Sequence, residues 1–262
     1  MPHTSAVINV MIKAARKAAR GLQRDFGEIE ALQVSRKGAA DFVSAADTRA
    51  EQTIFEELST GRPKYGFLME ERGAIEGSDN SNRWIVDPLD GTTNFLHGLN
   101  QFSISIGLER DRQPFAGVVY NPVTDELFFA EKGEGAFLNE QRLRVTVRND
   151  LSECLFACGL PFKGRSGREQ AFKETGAVLA ETAGVRRYGS AALDLAFVAA
   201  GRFDGYWERG LNPWDVCAGI ILVREAGGMV SEIEGGANPL HSGSILATNS
   251  EISHRAQKLL AV

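Results

Sequence analysis

The chain has 262 residues, enough to bury a substantial core as one large domain or as two closely packed lobes. Its 29 basic and 34 acidic residues give a net charge of −5, which argues against a dedicated nucleic-acid binder. No stretch approaches the roughly 18 apolar residues of a membrane span, and residues 1–5 open no long apolar leader.

Val7, Met11, Ala14, Ala18, Leu22 and Phe26 share one face of a helix predicted over 4–26, with Lys13, Arg16, Lys17, Arg20 and Arg24 on the other. That basic stripe reads most simply as a solvated face, and otherwise as a docking surface for RNA or an acidic partner. A loop containing Gly38 leads to a helix over 47–59. Two short strands follow, 65–69 and 84–86, and both run into carboxylates: Glu70-Glu71 after the first, Asp87 and Asp90 after the second. Pro88 has no amide to give a ladder, so Asp87-Pro88 reads as the strand's exit. Apolar segments at 103–108, 115–120, 126–130 and 136–138, separated by turn residues, predict an antiparallel run. Beyond about residue 150, helices near 168–183, 190–200 and 214–226 alternate with strands near 154–158, 203–207, 229–233 and 244–248, before a closing helix near 250–260.

The segment Asp87-Pro88-Leu89-Asp90-Gly91-Thr92-Thr93-Asn94-Phe95 carries the chemistry. Gly91 lets the backbone reverse, so Asp87 and Asp90 can turn toward one point. Two converging carboxylates that stay ionised need a cation, and oxygen ligands favour magnesium, manganese or calcium over zinc. The bare pentapeptide also suits a surface turn, but a surface turn does not require Thr92, Thr93 and Asn94, which supply hydroxyls and a cap-like amide at a helix start. Glu70-Glu71 reads by itself as solvated surface. For Glu70 to reach Asp87, the two strand ends must be neighbours in a sheet. Asn212-Pro213-Trp214-Asp215 begins an apolar helix, and Asp215 in its first turn is explained by capping alone unless the site recruits it.

Together these features resemble the inositol monophosphatase family, whose signatures are Asp-Pro-x-Asp-Gly-Thr-x-Asn-Phe and a later Trp-Asp-x-x-Gly. The similarity runs in order through Lys37-Gly38, 41–47, 188–191, 206–208 and 243–249. Met69, where a glycine commonly precedes the two glutamates, and Cys217, where alanine is usual, depart from it without removing a ligand.

The resemblance implies an α/β layered sandwich, αβαβα, of the inositol monophosphatase/fructose-1,6-bisphosphatase-like fold. It would form a single catalytic domain over 1–262, with lobes of approximately 1–149 and 150–262. It also implies two or three Mg²⁺ ions: Glu70, Asp87 and the Leu89 carbonyl would hold one, and Asp87, Asp90 and Asp215 a second. Glu70 and Thr92, hydrogen-bonded to Asp47, would take the proton of the attacking water. Asp90, Gly91, Thr92, Gly189, Ser190, Ala191 and Glu208 would meet substrate, with Lys37 a mobile-loop contact. Glu208 read without the family is equally a surface partner for Arg209 or Arg187. The implied activity is lithium-sensitive hydrolysis of myo-inositol monophosphate by a homodimer. Histidinol phosphate, another sugar or nucleotide phosphate, or a regulatory role on RNA polymerase and Nus factors in ribosomal RNA antitermination are the alternatives. Cys154, Cys158 and Cys217 fit no zinc or redox spacing and point to a reducing compartment, hence the cytoplasm. His97 is expected to pack or cap a loop rather than to react.

Overall fold

The computed structural model describes residues 4–32, 39–162 and 164–262, with the backbone alone for 30–32 and 39–44. In chain order it begins with helices α1 (Ala6–Leu32) and α2 (Ala39–Gly61), followed by strands β1 (Tyr65–Met69), β2 (Gly73–Ile75) and β3 (Asp79–Asp90) and a short helix α3 (Thr92–Leu96). Strands β4 (Ser103–Arg110), β5 (Gln113–Asn121), β6 (Glu126–Glu131), β7 (Gly135–Leu138) and β8 (Gln141–Arg142) complete an eight-stranded sheet in the order β2-β1-β3-β4-β5-β6-β7-β8. Then come β9 (Leu155–Cys158), α4 (Arg168–Glu181), β10 (Gly184–Arg186), α5 (Ala191–Ala199), β11 (Gly205–Arg209), α6 (Pro213–Glu225), β12 (Met229–Ser231), α7 (Pro239–Ser242), β13 (Ser244–Thr248) and α8 (Ser253–Leu259). The later strands form a second sheet, β10-β9-β11-β13-β12.

The alternation of side chains along each strand sorts the protein into layers. Trp84, Val86, Ile106 and Val118 join the core against α1 and α2, while Ile85, Val119 and Phe128 face the other way, toward α5 and α6. From the second sheet Ala157, Tyr206, Ile245 and Ala247 close on those same helices. Phe156, Trp207 and Leu246 point outward onto Val178 of α4 and Ala256 of α8. The order is therefore helix, sheet, helix, sheet, helix, the expected αβαβα arrangement.

The central helix α6 lies unusually close to the first sheet. Gly107 and Gly117 are paired across β4 and β5, and a Cβ at Gly107 would stand 2.5 Å from Cys217 Sγ, one at Gly117 2.7 Å from the Ala218 Cα. Bare backbone at both positions lets α6 settle onto the strands, which fixes where its first turn, and Asp215 with it, points. On α1, Val7, Met11, Ala14, Ala18 and Leu22 are buried as the periodicity required. Lys13 and Lys17 pair with Glu57 of α2 and Arg24 with Asp25, so only part of the basic stripe is free of an ion pair. The helices reach further than the sequence indicated at Leu32 and at Ala39, and the short strands β2, β8 and β10 are additions. Lys37 lies outside the described residues.

Candidate active site

β1 and β3 run parallel, with Met69 opposite Val86, so the next residue of each, Glu70 and Asp87, leave adjacent strands side by side. The neighbouring strand ends that Glu70 requires are thus present. The Glu70 amide donates to Val86 O (3.2 Å), which holds the turn. Pro88 does not end β3, contrary to expectation. Pairing with β4 becomes irregular between Asp87 and Asp90 and resumes at Asp90 opposite Ser103. A proline suits such an irregularity because no ladder bond there needs its amide. Within it the Leu89 amide donates to Asp87 Oδ1 (2.9 Å). Gly91 then turns the chain into α3 at φ 91°, where an added Cβ would meet Gln101 O at 2.8 Å.

The facing wall comes from the second sheet and the central helices. Glu208 stands near the end of β11 and Asp215 in the first turn of α6. Asp215 Oδ2 accepts the Asn212 amide (2.7 Å), so capping uses one of its oxygens and leaves the other. Asp90 Oδ2 accepts both Ser190 Oγ (2.5 Å) and the Ala192 amide (2.8 Å), tying the end of β3 to the start of α5. Glu70, Asp87, Leu89, Asp90, Glu208 and Asp215 all line a single cleft of about 750 Å³. It opens at the carboxyl ends of two parallel strand pairs, β1 with β3 and β9 with β11.

Burial in this cleft pushes the carboxyl groups toward the neutral form. Asp87 is raised well above the usual carboxylate range, first by lost hydration and then by Glu70, Asp90 and Asp215. Lost hydration likewise raises Glu70 to about 7, against a hydrogen bond with Asp87 that lowers it. Asp90 reaches about 7 although the Ser190 hydroxyl works against the shift, and Asp215 reaches about 6. Asp47 rises to about 8, through burial and then through Glu70, Glu71 and Glu51. Such a set repels itself unless a cation is present. Among the described residues, a backbone amide donates to one oxygen of each of Asp87, Asp90 and Asp215, and Glu70 shares a hydrogen bond with Asp87. An all-oxygen donor set with free lone pairs in one cleft fits hard divalent cations such as Mg²⁺.

Residues 3–261 match the profile described as the Inositol monophosphatase family. The chain belongs to the inositol monophosphatase family. It is 58% identical over 252 residues to the inositol-1-monophosphatase of Mesorhizobium japonicum, covering 96% of this chain and 94% of that protein. It is 43% identical over 246 residues to the Nus factor SuhB of Escherichia coli, covering 94% of this chain and 92% of that protein. The crystal structure of the extragenic suppressor protein suhB from Bartonella henselae superposes with a TM-score of 0.91 at 54% identity, covering 98% of this chain and 99% of that one. Membership makes the protein a phosphatase, and the inositol monophosphatase fold is the layered one described above.

Several residues are placed differently from expectation within this inositol monophosphatase scaffold. Thr92 Oγ1 donates to Leu89 O (3.1 Å) and not to Asp47, whose buried Oδ1 has no partner. The carbonyl three residues back in the same turn is simply nearer to the hydroxyl. Ser190 is 1% exposed and does not line the cleft; its hydroxyl serves Asp90 and the Leu193 amide as the N-cap of α5. Gly189 and Ala191 on either side of it do face the cleft. Asn94 caps nothing: its Nδ2 donates to Gln101 O (2.6 Å) and Tyr188 O (2.7 Å), pinning the segment before Gly189 to α3. His97 sits at the end of α3 as expected of a loop residue.

Sequence reasoning read Glu71 as solvated surface and gave it no role, yet it brings a carboxylate oxygen within 4.8 Å of those of Asp47 and Glu70. It also passed over Arg165, whose charge acts on both Glu208 and Asp215 from the loop before α4. The Glu70-Glu71 pair marks Glu71, but only the approach of Asp47 from α2 gives it a place in the cluster, and no spacing signal marks Arg165. No helix among the described residues is long and apolar enough to cross a membrane.

Proposed function

We propose that the protein is a Mg²⁺-dependent phosphomonoesterase that hydrolyses myo-inositol monophosphate to inositol and phosphate. The observation that carries this reading is the convergence of Glu70, Asp87, Asp90 and Asp215 in the cleft that also receives Glu208. The name of the Mesorhizobium relative supports the substrate.

Glu70, Asp87 and the Leu89 carbonyl would hold one Mg²⁺ and Asp87, Asp90 and Asp215 a second, and Asp47, Glu70 and Glu71 lie close enough together to share a third. Bound there, Mg²⁺ supplies Lewis acidity, which acidifies water and offsets charge on the phosphoryl oxygens. Glu70 and Asp47, which bring carboxylate oxygens within 4.8 Å of each other, would take the proton of the attacking water. Thr92 turns its hydroxyl over the same turn and orients that water. Gly91 and Thr92 offer amides to the phosphoryl group at the start of α3, where the cap residue has no side chain to compete. As water oxygen bonds to phosphorus the ester P–O bond breaks, the departing alkoxide takes a proton from solvent water in the cleft, and Glu208, Gly189 and Ala191 receive the resulting alcohol. Ser190 contributes by holding Asp90.

The reading is tested by assaying inositol 1-phosphate, histidinol phosphate, fructose 1,6-bisphosphate and a 3′-nucleotide with and without Mg²⁺. Inositol phosphate ranking last would remove the substrate and leave the phosphatase. Homodimerisation and lithium sensitivity belong to the same reading on family grounds, checked by light scattering and by inhibition of the Mg²⁺-supported rate. A second reading, a regulatory contact with the transcription machinery, is favoured by the likeness to a protein named as a Nus factor. Arg16 and Arg20 on α1 are exposed and make no ion pair among the described residues.

A further inference from the structure

Glu208 is held in an unusual way. Its Oε2 accepts a 2.5 Å hydrogen bond from the phenol of Tyr206, a residue with no exposed surface that packs among the core side chains between the two sheets. Its carboxyl group also packs closely against Gly159, the residue just after β9. A Cβ built on Gly159 would come within 1.7 Å of the Glu208 carboxyl carbon and 2.1 Å of Oε1. Any side chain at 159 would therefore occupy the space of the carboxylate. The Gly159 amide donates to Trp207 O (3.3 Å), so the floor beneath Glu208 is itself tied to β11. Oε1 receives no hydrogen bond from any described residue, and Glu208 lines the cleft.

Resting on the assignment of this end of the cleft to the leaving alcohol, we propose that Tyr206 and Gly159 are positioning residues for substrate specificity. They clamp Glu208 so that Oε1 alone faces the cleft, as a fixed acceptor for a hydroxyl of a polyol. The clamp makes physical sense of two otherwise unconnected features. A glutamate has three side-chain torsions, and ordering them when substrate binds would consume binding free energy. Here one oxygen is already committed to a donor that cannot move, and the bare backbone of Gly159 leaves the space in which the carboxyl group sits. The substrate class that benefits is a phosphorylated polyhydroxy alcohol. An alkyl or aryl phosphate with no hydroxyl at this position gains nothing from the clamp.

The test compares Tyr206→Phe, which keeps the ring in the core, with Gly159→Ala, each assayed on inositol 1-phosphate and on p-nitrophenyl phosphate. Tyr206→Phe is expected to raise KM for inositol 1-phosphate about tenfold, the scale of one hydrogen bond to a charged group. The fall in kcat/KM is expected to be at least about fivefold larger for inositol 1-phosphate than for the aryl phosphate. Gly159→Ala should give the same bias, and the double variant should lose less than the product of the two, because both act through Glu208. Equal losses on the two substrates, or an unchanged KM in Tyr206→Phe, would overturn the proposal. If Gly159→Ala does not fold, Tyr206→Phe decides alone. A wild-type enzyme that prefers p-nitrophenyl phosphate to inositol phosphate would overturn the function reading instead. In that event the clamp is read without turnover, from the carbon-13 titration of the Glu208 carboxyl, identified by comparison with Glu208→Gln. Its midpoint is expected to move up in Tyr206→Phe, and an unmoved midpoint would refute the clamp.

Discussion

The two walls of the cleft are built on different principles. On one side Asp87, Leu89 and Asp90 come from a single short irregularity in β3 and Gly91 from the turn that follows it, with Glu70 delivered by the strand paired beside it. On the other, Gly159, Arg165, Gly189, Glu208 and Asp215 arrive from five places in the chain and meet only when the second sheet and the central helices assemble. The first wall gathers most of the oxygens that suit a cation, and the second adds Asp215 to them and gathers the contacts that suit an alcohol. Cation geometry is thereby fixed largely by local backbone structure, with Asp215 brought in by α6, whereas alcohol recognition depends throughout on how distant segments pack.

The largest expected effect lies where the walls touch. Asp90 belongs to the first wall and is bonded to Ser190 and Ala192 of the second. Asp90→Asn keeps the shape and one acceptor but removes the charge, so hydrolysis should fall about a thousandfold, the equivalent of several kcal/mol of transition-state stabilisation. Activity surviving in Asp90→Asn with Mg²⁺ present would break the assignment of this residue to the metal.

This contrast also separates what was legible in the sequence from what was not. Asp87, Asp90 and Gly91 could be read directly because the turn that joins them is contiguous, whereas Asp215 could be placed in a helix's first turn by the proline before it but became a ligand only through the family resemblance. The αβαβα layering followed from family resemblance, and the side-chain alternation in strands such as β3 and β11 agrees with it. The second wall gave no comparable signal. Ser190 looks like a substrate contact in a Gly-Ser-Ala string, yet its hydroxyl is used up by Asp90, and nothing in the spacing from 90 to 190 announces that. The strand β10, three residues at a sheet edge, is too short to show a period. Pro88 misled because proline normally ends a strand, and only the pairing partner shows that the ladder resumes.

Removing divalent cations should expose the cost of burying this carboxyl cluster. Asp215, Glu70, Asp90 and Asp47 have folded-state pKa values raised to about 6, 7, 7 and 8, above their unfolded values near 4. Raised carboxyl groups favour the folded state fully below about pH 4, and that contribution is lost as pH rises through the folded values. In EDTA the melting temperature should therefore fall by several degrees between pH 5 and pH 8. Added Mg²⁺ should restore more at pH 8 than at pH 5. A Mg²⁺ shift that is larger at pH 5 would contradict a carboxylate site.

The position of Asp215 rests on the close approach of α6 to the first sheet, which Gly107→Ala attacks directly. The new methyl would lie 2.5 Å from Cys217 Sγ, and overpacking of this kind costs about 1–3 kcal/mol. Chemical denaturation should show that loss, with the Mg²⁺ requirement raised as α6 shifts. A neutral result would mean that the helix can retreat without moving its first turn. On the second wall, Glu208→Gln should raise KM for inositol 1-phosphate about tenfold and leave the metal dependence alone, since it keeps an acceptor but loses the charge. A change in the Mg²⁺ dependence there would mean that the division between the walls is too sharp.

The smallest effect is expected furthest from the cleft. Lys13 and Lys17 share Glu57, and Arg24 and Arg49 share Asp25, so the charges of α1 at these positions brace α1 and α2. Arg16 and Arg20 are exposed on the same helix and take no part in that bracing. Reversing both, Arg16→Glu with Arg20→Glu, should leave kcat/KM and the melting temperature close to wild type, as solvated surface charges contribute little. The same variant should abolish association with an acidic protein or RNA partner if the regulatory reading holds. Because Asp90→Asn is expected to do the reverse, comparing partner pull-down with hydrolysis in the two variants separates the helix from the cleft. Loss of hydrolysis in the helix variant would show that the outer helical layer and the catalytic cleft are coupled in a way that their packing does not suggest.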